Sequence, residues 1–137
     1  MSVLYNLKKG GPIDWVEQRF VPRSFAVDGG TTTISRASFG EVIPEGARWL
    51  ATHVKVAAAF TGDTSAAITI GDGTDVDRYN TSTLTVSSAG TIAAGAASGT
   101  LDHAVEKTPV VTLTTGANGA NVSAGDMTIR IMFVRGL

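Results

Sequence analysis

The residues with the chemistry to build an active or metal site fall into two groups. Asp72, Asp75 and Asp77 stand close together in a Gly- and Thr-rich run. Three nearby carboxylates with loop carbonyls could supply the oxygen ligands that a calcium ion needs. The spacing is not that of an EF-hand, and no bidentate Glu follows at the required distance. Carboxylates in such a run also accept hydrogen bonds from turn N–H groups. The sequence favours this second reading, a polar loop between strands. His53, Asp102 and His103 form the other group. They raise the question of a Ser–His–Asp triad, but the chain has no Gly-x-Ser-x-Gly elbow to present the nucleophile. His53 falls on the polar side of an alternating run, where a surface or interface histidine belongs. Gly71-Asp72-Gly73 lacks the Lys-Ser/Thr and the following helix of a phosphate loop. No catalytic residue, metal ligand set or cofactor is expected, and the chain does not read as an enzyme.

Weaker signals surround these. Asn80-Thr81-Ser82 and Asn121-Val122-Ser123 match the glycosylation sequon and read as chance matches in a Ser/Thr-rich chain. Trp49 and Tyr79 could form a sugar-stacking platform, although a Trp at a strand start more often belongs to a core or its rim.

Composition removes further classes. Eleven Lys and Arg against twelve Asp and Glu leave a net charge of -1. A duplex nucleic-acid binder needs a basic surplus to displace phosphate counterions, so no nucleic-acid partner is expected. The absence of cysteine excludes disulfides, thiolate zinc sites and thiol nucleophiles. No run approaches the ~18 apolar residues of a membrane span, and the N-terminal residues do not read as a secretory signal. Charged residues make up 17% of the chain, below the usual ~25%, while Thr, Ser, Gly and Ala are abundant. This is the composition of a β-rich structural protein.

The elements divide the chain at about residue 30. From 31 to 137, apolar residues alternate with polar ones as in half-buried strands. Met127, Ile129, Ile131 and Phe133 point one way in the clearest of these. Leu50, Val54, Val56, Ala58 and Phe60 form another apolar face, interrupted by Thr52. Ile68 with Ile70, Leu84 with Val86, and Val111 with Leu113 continue the series. Turn clusters at ~8–12-residue intervals separate the runs, which indicates a sandwich or barrel, and an antiparallel β-sandwich is the fold expected. The small-residue stretch Thr91–Gly99 fits an edge strand, a wide loop or a close contact with a neighbouring subunit.

Residues 1–30 read as an extended N-terminal arm before that sandwich. Ile13–Phe20 could form two helical turns, too short to be stable alone. The arm carries Leu4, Tyr5, Trp15, Phe20 and Phe25 beside Lys8, Lys9, Arg19 and Arg23. Large aromatics with interspersed arginine are the anchoring chemistry of protein interfaces. Either the arm folds back on its own sandwich, or it docks on another subunit with these nine residues as the interface.

The body also resembles a known pattern. Ile43-Pro-Glu-Gly-Ala leads into the long strand to Phe60. Ala67-Ile-Thr-Ile-Gly-Asp-Gly-Thr-Asp-Val-Asp-Arg-Tyr79 and Val86-Ser-Ser-Ala-Gly-Thr91 follow, and strands at Pro109–Thr115 and Asp126–Val134 close it. This layout is similar to the β-sandwich or jelly-roll decoration (cement) proteins of tailed-bacteriophage capsids, over roughly residues 40–137. The resemblance implies an all-β, jelly-roll-like fold, no catalytic residues, and a virion protein on the capsid surface. It also implies the major capsid protein as partner, self-association as a homotrimer, and no membrane. A tail- or fibre-associated module binding carbohydrate or a host receptor is the alternative, with Trp49, Tyr79 and the acidic loop as its surface.

Overall fold

The computed structural model describes residues 12–28, 32–95 and 101–135. The period-two alternation produces strands because successive side chains leave opposite faces of an extended backbone. The described residues form eight strands: β1 Ile13–Phe20, β2 Ile34–Ser38, β3 Arg48–Thr61, β4 Ala66–Gly71, β5 Leu84–Thr85, β6 Gly90–Ala94, β7 Val110–Thr115 and β8 Ala124–Val134. Among the described residues the helical segments are two 3₁₀ helices, Pro22–Asp28 and Gly119–Asn121.

The strands make two four-stranded antiparallel sheets, ordered β1-β8-β3-β6 and β2-β7-β4-β5. The expected all-β sandwich is therefore present. Its pairings include β1 with β8, β2 with β7, β3 with β6 and β4 with β5. A chain doubled back on itself and then rolled into two layers gives these pairs, which is the jelly-roll arrangement. The connections β2–β3, β4–β5 and β6–β7 gather at one end of the sandwich. There Ile43 bridges Lys107 and Arg48 bridges Asp102. The remaining connections meet at the other end, where Asp63 Oδ2 accepts from the N–H groups of Ala117 and Asn118.

The core lies between the sheets. Met127, Ile129, Ile131 and Phe133 are all buried, as their alternation predicts, and Val54, Val56, Ile68, Ile70, Val111 and Leu113 join them. Ile131 is fully buried. Replacing it with Ala removes buried methylenes and leaves a cavity, so Ile131→Ala should lower the unfolding free energy by ~2–5 kcal/mol. Urea denaturation of the two proteins side by side measures this directly.

Three expectations are corrected. First, Ile13–Phe20 is a strand and not a pair of helical turns. It pairs with β8 from Ile13↔Val134 to Phe20↔Met127, so β8 supplies the hydrogen bonds that a short isolated helix could not maintain. Second, residues 12–28 do not stand apart from the sandwich. Phe20 and Phe25 are core residues, with the Phe20 ring 5.8 Å from that of Phe25 and 5.3 Å from that of Phe39. Third, the apolar face of β3 is not continuous. Register shifts between Trp49 and Ala51 and between Val56 and Ala58 re-aim the side chains. Leu50 and Ala58 become exposed, while Thr52 is buried.

Candidate functional site

The loop end is held by a polar network that begins at Asp72. Its Oδ1 accepts from the N–H groups of Thr74 at 2.9 Å and Asp75 at 2.8 Å. Its Oδ2 accepts from Arg78 Nη1 at 2.9 Å. Arg78 Nη2 reaches the next connection and donates to the Asp102 carbonyl at 2.7 Å. Burial works to raise the Asp72 pKa. The Asp75 and Thr74 N–H groups and the Arg78 guanidinium outweigh it and hold the carboxyl below its ordinary value. Asp77 shifts the other way, chiefly through hydrogen bonding with Asp75. The acidic run thus turns its first carboxylate inward to shape the loop, and Asp72, Asp75 and Asp77 do not converge as a cation-ligand set. No metal-ligating cluster of His, Asp or Glu occurs among the described residues.

Tyr79 and His103 continue the network into the core. The two rings stack with centroids 5.8 Å apart, and Tyr79 Oη lies 2.8 Å from His103 Nε2. His103 Nδ1 lies 3.2 Å from the Ala47 carbonyl oxygen. A carbonyl only accepts, so Nδ1–H donates to Ala47 and Nε2 accepts the Tyr79 hydroxyl proton. Both ring nitrogens are thereby used structurally, one by a tyrosine and one by the backbone, which is not the arrangement of a triad. Burial, followed by the nearby Arg78 charge, lowers the His103 pKa from its ordinary 6.5. Burial raises that of Tyr79.

The sign of the histidine effect is definite. A His whose folded pKa is depressed contributes stability in full above its unfolded value, and that stability is lost as pH falls through the folded value. Between about pH 7 and 5 the wild type should therefore lose melting temperature more steeply than His103→Gln, which cannot titrate there. Parallel melting curves across that range would remove the role assigned to the buried imidazole.

The same geometry relocates several candidates. Tyr79 is fully buried, so it forms no exposed platform with Trp49, whose Nε1 instead donates to Thr52 Oγ1 at 2.9 Å. Asn80 is also fully buried. Its Oδ1 accepts from Ile70 N–H and its Nδ2 donates to the Ser82 carbonyl, which leaves no access for a glycan. His53 lies on the exposed face of β3, as its position in the alternation suggests.

The nine candidate interface residues separate into groups. Leu4, Tyr5, Lys8 and Lys9 lie outside the described residues. Phe20 and Phe25 are withdrawn into the core and offer no surface to a partner. Trp15 and Arg19 face outward on β1, and Arg23 is exposed on the 3₁₀ helix Pro22–Asp28. Arg19 holds Asp126 with two hydrogen bonds of 2.9 Å. Arg130 donates to Glu17 at 2.7 Å and lies 5.1 Å from the Trp15 ring centre. Beside this group is a shallow depression of about 280 Å³ lined by Glu17, His53, Lys55, Thr91, Thr128 and Arg130. Strand register brings these together: His53 pairs with Arg130 and Ala93, and Lys55 with Thr128 and Thr91.

No family model and no curated protein sequence matches the chain. Its fold matches solved structures. A chain in the structure "Cyanophage Pam1 capsid asymmetric unit" aligns with a TM-score of 0.62 and 13% identity, over 96% of each chain. A chain from the "Acidic stable capsid structure of Helicobacter pylori bacteriophage KHP30" aligns with a TM-score of 0.53 and 10% identity, over 90% of this chain and 88% of that one. At these identities the likeness is one of fold.

Proposed function

We propose that this chain is a bacteriophage virion structural protein, specifically a decoration protein that binds the outer capsid surface and bridges coat subunits. The observation that carries this reading is the extent of the fold match. Almost the whole of this molecule corresponds to almost the whole of a chain in a phage capsid asymmetric unit, with 96% covered on both sides. The inward-turned loop carboxylate and the structurally engaged His103 add support, because they describe a scaffold and not a reaction centre.

The mechanism is thermodynamic. A protein that binds only the assembled shell shifts the equilibrium away from disassembly. Several linked copies strengthen the effect through effective concentration, and a homotrimer is the cyclic form proposed here. Arg19 and Arg23 are the exposed members of the candidate interface, and Trp15 is half-buried beside them. The sequence before β1 contributes Leu4, Tyr5, Lys8 and Lys9, with apolar and basic side chains suited to coat carboxylates and recesses.

The test is co-sedimentation of the purified protein with emptied, expanded capsids and, separately, with tails. Saturable binding to capsids is expected, and deleting residues 1–11 should weaken it by at least ~10-fold while leaving the circular dichroism unchanged. Binding to tails alone would replace the proposal with a tail station. Full occupancy by the truncated protein would move the contact onto the sandwich.

A further inference from the structure

The charges of this chain are segregated. The three connections at the loop end, residues 39–47, 72–83 and 95–109, contain seven of the twelve acidic residues and two of the eleven basic ones. The near-neutral total therefore conceals an acidic end and a basic remainder. At that end Asp75 and Glu106 are exposed, and each adjoins an exposed valine, Val76 and Val105, both at 54%.

The counterpart is the outer face of the β1-β8-β3-β6 sheet. Its arginines are matched internally, Arg19 to Asp126 and Arg130 to Glu17. Lys55 and His53, in the middle of the sheet, have no acidic partner among the described residues. Lys55 thus adds a cation to the 280 Å³ depression, where Glu17 is already engaged by Arg130, and His53 offers a ring N–H next to it.

We propose that the acidic loop end of one copy docks on this face of a second copy. Asp75 and Glu106 meet Lys55 and His53, and Val76 and Val105 cover the Ala, Thr and Trp15 surface around them. This deepens the proposed self-association and rests on it. The contact joins two different surfaces, so it is heterologous: it closes into a ring if the rotation allows and otherwise extends as a chain. Complementary charge supplies orientation and a salt-sensitive attraction, and the valines supply apolar burial.

The experiment uses the full chain and two variants, Lys55→Glu on the face and Asp75→Lys/Glu106→Lys on the loop end, with circular dichroism confirming that each folds. Light scattering after size exclusion should show wild-type oligomers that dissociate as salt rises. Each variant alone should associate at least ~10-fold more weakly, because like charges then oppose each other. Mixing the two should restore association, since the loop end of the Lys55→Glu copy meets the intact face of the other and the two reversed surfaces are also opposite in charge. A wild type that stays monomeric at every salt and protein concentration overturns the proposal. So does association that survives Lys55→Glu, or a mixture that forms no complex. The virion reading fails separately: self-association without any capsid binding would remove that reading and leave this contact standing.

Discussion

Removing residues 1–25 should unfold the protein, not trim it. That segment includes the whole of β1, which pairs with β8 along its full length. It also includes Val16, Phe20 and Phe25, each at most 3% exposed. Phe20 touches the rings of both Phe25 and Phe39, and Phe25 lies 6.5 Å from Phe60 across the sandwich. Phe20→Ala alone should cost ~3–5 kcal/mol as a large-to-small core change. Domains of this kind have ~5–15 kcal/mol in total, so losing three such side chains and a strand exceeds what remains. The expected result is loss of the cooperative urea transition and of the β-type circular dichroism signal. A truncated protein that still melts cooperatively would show that β1 is dispensable to the sandwich.

The second large effect should come from Arg78. Its side chain is 10% exposed and that of Asp72 is 6%, so the pair is shielded from water. Arg78→Ala would leave the Asp72 carboxylate buried without its guanidinium, and the Asp102 carbonyl would lose a donor. Removing one member of a buried pair costs ~3–5 kcal/mol, because the remaining charge is uncompensated. The connection between β6 and β7 should loosen at the same time, since Arg78 is one of its ties to the β4–β5 loop. Replacing both members, as in Asp72→Asn/Arg78→Met, should recover part of the loss because no charge is stranded. If the double variant is as unstable as Arg78→Ala, the cost lies in the lost packing of the arginine stem.

The strands that the sequence disclosed best are those with one buried face and no interruption. Met127, Ile129, Ile131 and Phe133 alternate without a break, and each lands in the core. The same logic failed at β3, because a bulge changes which side chains face inward without changing the composition. It failed again at β1, where two prolines, two turn glycines and an irregular apolar spacing resemble an arm. Only β8, more than a hundred residues later, gives that segment its partner. The site residues followed the same division. The inward role of Asp72 was legible as turn chemistry from its Gly-rich neighbours. The burial of Tyr79 against His103 was not, because it depends on two connections meeting at one end of a rolled sandwich. Uneven placement of acids among those connections was visible in the sequence, but it acquired meaning only once the three loops were known to share an end.

The most direct measurement is an electron cryomicroscopy reconstruction of emptied, expanded capsids incubated with the purified protein. Jelly-roll density is expected on the outer surface, repeated with the symmetry of the lattice and touching more than one coat subunit at each site. Capsids that remain bare, or density found only on tails, would contradict it.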